Sequence, residues 1–418
     1  MKQSNEKVKL VQTRDGKNFL LPFILITSLF FLWGFAHSIL DVLNKHFQDA
    51  LGITRTRSAL IQAVVYGGYF LMALPAGNII RRYGYRAGVL TGLLLYGIGA
   101  LLFIPGERIM SFEFFLFSLF IIGCGLTCLE TAANPYVTVL GEPESAERRI
   151  NLAQSFNGLG WICGPLAGGL FLFSENGESG SISTPYAIIG VIVLLVALFF
   201  SRIRLPEIGM NQPAETEVQT GGEAAGSLWS HRNFTWGLVA LFLYVAAQTG
   251  INSFFINYVT EHAGITAREA SLWLSFGGMS MFMAGRMGGS WIMRFIRAER
   301  LLVFCGAGAT VTMILILFGS GMSAIGAFFF CFLCESIMFP TIFALAIRGT
   351  GTHTKRASSF LIMSIVGGAV APLAMGYIAD HASMALGFVV PLGCFLYITL
   401  YAVTYPRKKQ YKRITSKI

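Results

Sequence analysis

Apolar runs, each about as long as the roughly 20 residues that a helix needs to cross a bilayer, alternate along this chain with short polar, often basic, connections. The pattern predicts spanning helices at about 19–43, 59–80, 86–105, 112–140, 151–173 and 184–201, then at about 234–259, 270–293, 301–320, 322–347, 357–379 and 384–404. Twelve crossings put both ends of the chain on one side. With a cytoplasmic N-terminus, the cytoplasmic segments hold 25 Lys and Arg residues and the opposite face holds 5 (Arg286 lies within a span), so the positive-inside rule predicts that both termini are cytoplasmic. The longest interruption, Pro206–His231, is rich in Gly, Glu, Gln and Ala and reads as a flexible linker. The expected organisation is therefore a six-helix half at 1–205, a cytoplasmic linker at 206–232 and a second six-helix half at 233–418.

The two halves echo one another. Gly77-Asn-Ile-Ile-Arg-Arg82 corresponds to Gly289-Ser-Trp-Ile-Met-Arg294, and Glu130 precedes Pro135 by the interval that separates Glu335 from Pro340. Ala153-Gln-Ser-Phe156 is answered by Ala357-Ser-Ser-Phe360, and Gly164-Pro-Leu-Ala-Gly168 by Ala371-Pro-Leu-Ala-Met375. All four offsets fall between 204 and 212 residues and keep their order. Such a parallel repeat of six-helix units is how major facilitator transporters are built, with the substrate site near the midplane between the halves. The fold expected is thus all-α and integral to the membrane.

Composition agrees and narrows the function. Charged residues make up 12% of the chain, against about 25% in a soluble domain. The net charge of +10 is spread over the connections rather than gathered in a patch, which argues for membrane topology and against nucleic-acid binding. Seven cysteines all fall in apolar segments, and the Cys331–Cys334 pair has no second pair or His set at metal-site spacing, so neither a metal nor a cofactor is expected. The first apolar run is longer than a signal core and lacks a small-residue cleavage pattern.

Against that apolar background, polar side chains within spans stand out, because a charged group at mid-bilayer costs about 2.5–3.5 kcal/mol on insertion scales. Glu130 is one such group; Asn134 shares its helical face and Pro135 follows. A carboxyl group in a low-dielectric cavity can bind and release a proton near neutral pH, so Glu130 is the candidate for proton coupling. Trp33, His37 and Asp41 form one stripe of span 1, combining a flat apolar ring with groups that bind hydroxyls, which suits a sugar; a hydrated Asp41 at the outer end of the span is the simpler alternative. Asn151, Gln154, Asn157 and Trp161 share a side of span 5, and Tyr244, Gln248 and Asn252 a side of span 7; amides facing lipid are costly, so both sets are expected to face a cavity. Arg286 and Glu335 could form a buried ion pair. In the loop Gly77 to Arg86, Gly77 permits close helix approach, and Arg82 and Arg86 can hold the cytoplasmic helix ends in one state or serve as positive-inside anchors.

SLFFLWGFAHSILDVL, GLTCLETAANPYVTVLG, RINLAQSFNGLG, YVAAQTG and FPTIFALAI resemble the fucose–galactose–glucose:proton symporter family of the major facilitator superfamily, over nearly the whole chain. The resemblance implies a role for Asp41 in sugar recognition, for Glu130 in sugar-coupled proton binding, and cavity positions for Gln154 and Asn157. His37 stands where an Asn is usual, Asn252 and Phe339 replace an aromatic and a Tyr, and Glu335 occupies a position usually uncharged, departures that bear on which sugar is taken. The resulting expectation is a proton-coupled symporter of the bacterial inner membrane, monomeric, importing L-fucose, with glucose, galactose or an amino sugar as alternatives. Gly160-Trp-Ile-Cys-Gly164-Pro-Leu-Ala-Gly168-Gly169 also matches a pattern associated with drug or metabolite antiporters, although such glycines also permit tight helix packing. A membrane sensor would carry a soluble signalling domain, and an enzyme a nucleophile–base pair; neither feature is apparent.

Overall fold

The computed structural model of the protein describes residues 10–13, 16, 18–142, 146–173, 181–202, 228–293, 295–319, 321–348, 350 and 354–405, and most of the expected linker lies outside them. Each expected span is a helical rod. In the first half, α1 is Leu20–Leu51, α4 Phe112–Val139, α5 Ala146–Phe171 and α6 Ser183–Arg202. Leu60–Leu101 runs as one helical stretch but turns at Gly84, whose φ of 88° and ψ of 171° leave the helical region; it therefore forms two rods, α2 at 60–83 and α3 at 85–101. That conformation is open to glycine and costly for other residues, so the basic loop places its turn where the sequence supplies one.

The second half contains α7, Arg232–Ala263, and α8, which spans 267–292 and contains a π-helical turn at Leu274–Met279. It continues with α9, Ala298–Phe318, and α10, Met322–Ile347, whose helix stops at Glu335 and resumes at Met338. α11, Phe360–His381, and α12, Met384–Thr404, complete it. Nine stretches among the described residues are long and apolar enough to cross a bilayer, and one of these, Arg55–Ile109, holds both α2 and α3. The rods outside that set are α5, whose sequence carries Arg148, Arg149, Gln154 and Asn157, and α8, which is divided by its π turn.

Within the first half, α5 lies directly against α1. A Cβ on Gly160 would collide with the Phe31 carbonyl, and one on Gly164 with the Ser38 hydroxyl. The glycine-rich stretch that matches an antiporter pattern therefore has a packing role here. The halves join at the end of the bundle that carries the α1–α2 connection. There Asn44 donates to the Ser253 carbonyl at 2.6 Å, Ser271 to the Pro165 carbonyl at 2.5 Å and Ser275 to the Ile162 carbonyl at 2.6 Å. Asp380 of α11 accepts from the Arg55 and Thr56 backbone N–H groups, at 3.0 and 2.9 Å, and Arg55 also pairs with Glu261 of α7.

Candidate functional site

A cavity of about 630 Å³ lies between the halves, within the roughly 300–1,000 Å³ typical of small-molecule sites. Its lining reaches from Asp41 and Gln62, beside the joined end, to Ile150, Met293 and Ile362 toward the other. α1 contributes the anticipated stripe. Trp33 Nε1 donates to the Tyr69 hydroxyl at 2.8 Å, and His37 Nε2 lies 2.9 Å from the same oxygen. The His37 ring stacks on Trp161 of α5, with an interplanar angle of 11°.

Asp41 is not a hydrated residue at a helix end. It is 3% exposed, and its carboxylate accepts from Gln62 Nε2 of α2 at 3.0 Å and from Ser253 Oγ of α7 at 3.4 Å. Gln62 also donates to Ser253 Oγ, at 3.0 Å, and Tyr66 and Thr249 share a bond of 3.1 Å alongside. Asp41 thus sits in a polar seam that joins the two halves while lining the cavity.

Glu130 faces the cavity from α4, which continues through Pro135 as one helix, and Tyr69 lines the same cavity from α2. One turn on, Asn134 also lines the cavity, and its Oδ1 is buried with no hydrogen-bond partner. Asn252 on α7 presents a second buried, unpartnered amide oxygen. Gln154, Gln248 and Phe339 complete the anticipated walls. Asn157 lines the cavity but spends its amide N–H on the Phe30 carbonyl at 3.1 Å, so part of its polarity serves α1–α5 packing. The side chain of Asn151 lies outside the described residues.

The expected Arg286–Glu335 ion pair is not formed. Arg286 lines the cavity, its guanidinium 4.8 Å from the centre of the Phe282 ring, and its Nε donates to the Ser336 carbonyl at 3.5 Å. Glu335 is fully buried outside the cavity lining; its Oε2 has no partner, and the Cys331 thiol lies 3.8 Å from Oε1. The physical reason is the break in α10, which frees backbone carbonyls that need donors. Tyr244 takes that of Glu335 at 3.0 Å and Arg286 that of Ser336, while the Glu335 side chain turns away. The repeated Glu-x4-Pro element is therefore asymmetric, with Glu130 facing the cavity and Glu335 withdrawn from it. In the basic loop, the close helix approach expected at Gly77 is not made, since a Cβ there would meet open space; Arg82 lies over the Tyr83 ring, and Arg86 bonds to the Ser201 carbonyl.

The family model of the Major Facilitator Superfamily matches residues 25–365. A glucose/galactose transporter of Brucella abortus (strain 2308) is 34% identical over 402 residues, 94% of this chain and 96% of the relative. The L-fucose-proton symporter of Escherichia coli (strain K12) is 36% identical over 411 residues, 93% and 94% of the two chains. The chain belongs to the Major Facilitator Superfamily, in its fucose–galactose–glucose symporter family. A solved structure of this family, FucP in the outward conformation, is 36% identical, covers 93% of this chain and 99% of its own, and superposes with a TM-score of 0.66. The D-xylose-proton symporter, 12% identical, covers 92% and 97% with a TM-score of 0.76 and shows the fold alone. The protein is accordingly a multi-pass membrane protein and a transporter rather than an enzyme.

Sequence reasoning missed the contribution of α2. Gln62, Tyr66 and Tyr69 recur at intervals of four and three on one helical face, a stripe as regular as that of α1. Ser253, which completes contacts across the seam, carries no signal that separates it from ordinary helix polarity, and Tyr244, picked out with the α7 stripe, gives its hydroxyl to the α10 break.

Proposed function

We propose that the protein imports a monosaccharide, L-fucose in the first instance, together with a proton by alternating access. The observation that carries this reading is the cavity wall itself. Glu130, Trp33, His37 and Asp41 line one cavity together with amides of α5 and α7, which supports the reading. Flat rings bind the apolar face of a sugar and amides its hydroxyls, while Glu130 binds the proton. Both ligands then bias one two-state equilibrium, which is the requirement for coupling. Relatives named for L-fucose and for glucose and galactose cover nearly the whole chain, which supports a sugar as substrate and keeps the two hexoses in the test.

Charge asymmetry supports cytoplasmic termini in the inner membrane, so the sealed end faces outward and the cavity faces the cytoplasm. The two six-helix halves, 1–205 and 233–418, move against each other as a single monomer in the bilayer, with 206–232 as their connection. Gly77, Arg82, Arg86, Arg286 and Glu335 serve the movement rather than the sugar. Uptake of labelled L-fucose, D-galactose and D-glucose by cells expressing the protein, with and without an uncoupler, tests the reading. Gradient-dependent uptake of a sugar is expected, and uptake of none of the three, or uptake indifferent to the uncoupler, overturns it.

A further inference from the structure

We propose that the seam between the halves is built to reopen: Asn44 and Asn257 oppose the sealed state, because sealing leaves an amide oxygen of each without a donor. This rests on the proposed alternating access, in which the joined end must part once in every cycle.

The polar stripes that line the cavity do not stop where it ends. On α1, Asp41 is followed by Asn44 and Gln48 at intervals of three and four, and on α7 Thr249 is followed by Ser253 and Asn257 at intervals of four, so each set shares a helical face. The two faces meet in the seam. Asn44 Nδ2 donates to the Ser253 carbonyl at 2.6 Å, Asn257 Nδ2 to Gln48 Oε1 at 2.5 Å, and Gln48 Nε2 to Ser58 Oγ at 2.9 Å. Asn44 is 0% exposed and Asn257 1%, yet Oδ1 of each has no hydrogen-bond partner among the described residues. Turning the Asn44 amide over would set its oxygen against the Ser253 carbonyl, two acceptors face to face.

Amides so placed are a poor choice for merely holding two helices together. A buried acceptor left unpaired carries the full cost of its lost hydration, and that cost exceeds the net gain of an ordinary hydrogen bond. In the parted state water reaches both oxygens, so the cost falls on the sealed state alone. Closure is held instead at the rim, where Asp380 binds the first turn of Arg55–Ser58 and Glu261 pairs with Arg55. Rim contacts that close the end and buried amides that oppose closure bring the two states toward balance. A carrier needs that balance if the differential affinity of its ligands is to shift it. Asn44 and Asn257 are thus positioning residues for the opening step, acting through the relative free energies of the two states.

Apolar replacements of similar shape test this in purified protein without sugar. Nitroxide labels at Ile109 and Leu386, exposed on the two halves, report the ratio of sealed to parted molecules by pulsed electron–electron spin resonance. Asn44→Leu removes one unpaired oxygen, and the Ser253 carbonyl keeps its bond within α7. Gln48→Met/Asn257→Leu removes the other oxygen together with the partner that would lose its donor, and Ser58 retains the Arg55 carbonyl at 2.9 Å. Each variant should raise the sealed-to-parted ratio about 5-fold or more, the scale of one relieved buried acceptor. Amides that serve only to hold the halves together would give the opposite sign, a lower ratio. A lowered or unchanged ratio in either variant overturns the inference for the residue it carries, and because the two are independent, one that fails to fold leaves the other to decide. A wild type that stays sealed with and without the sugar selected by the uptake panel overturns the alternating-access reading instead.

Discussion

Removing the carboxylate of Asp380 tests what holds the joined end of the two halves shut. The first turn of the short helix Arg55–Ser58 exposes N–H groups that its own turn cannot use. Asp380, from the other half, accepts two of them, at 3.0 and 2.9 Å, and the Thr56 hydroxyl at 2.6 Å. It completes a cap that Thr54, whose hydroxyl accepts from the Arg57 N–H, only begins, and loss of a capping acceptor costs about 0.5–2 kcal/mol. Asp380 is exposed, so solvent screening brings the figure to about 1 kcal/mol, which is roughly a 5-fold change in an equilibrium constant. Asp380→Ala should therefore raise the ratio of molecules open at this end to molecules sealed there about 5-fold. Thr56→Val, which removes one donor, should do less. Nitroxide labels at Ile109 and Leu386, exposed positions on the two halves, report this ratio by pulsed electron–electron spin resonance. Distance distributions that do not respond to Asp380→Ala would refute the claim that this contact sets the state equilibrium.

Other substitutions test the remaining parts of the account. Asp41→Ala should weaken sugar binding by about tenfold, the effect of losing a charged hydrogen-bonding partner worth roughly 1.5 kcal/mol; equilibrium binding at wild-type strength would remove Asp41 from the site. Asn252→Trp should change the order of preference among L-fucose, galactose and glucose in competition assays, and an unchanged order would show that α7 does not select the sugar. Glu107 stands beyond the end of α3, on the short helix Phe103–Ile109, and faces the N-terminus of α6. Burial raises its pKa, but bonds from Ser183, Ser181 and the Ile182 and Ser183 backbone outweigh this and hold it below the usual carboxylate range. Its contribution to stability is thus present above the unfolded-state pKa and is lost as pH falls through the lower folded value. Glu107→Gln should lower the unfolding temperature at pH 7 and make little difference in strong acid, and an equal loss at both pH values would contradict that linkage.

The rods, their number and the repeat were legible in the sequence because lipid enforces long apolar runs and makes polar interruptions expensive. The same economy made Glu130, Asp41 and the amides of α5 and α7 visible as a set. What sequence could not supply was direction. Glu130 and Glu335 share a motif and an interval, yet only Glu130 faces the cavity, because the break in α10 commits Tyr244 and Arg286 to backbone carbonyls. Nor could spacing within one helix show that Asp41 completes a seam with Gln62 and Ser253, since that contact joins three helices from two halves. Tyr69 was readable as part of a stripe, but its place in the site depends on Trp33 and His37 meeting at its hydroxyl.

The most direct test of the central claim follows external pH in lightly buffered, energy-depleted cells after sugar is added. The account predicts that wild-type cells alkalinise the medium on addition of the transported sugar, and that Glu130→Gln cells give no such signal while still exchanging labelled for unlabelled sugar. Sugar uptake by wild type without proton movement, or alkalinisation that persists in Glu130→Gln, would contradict it.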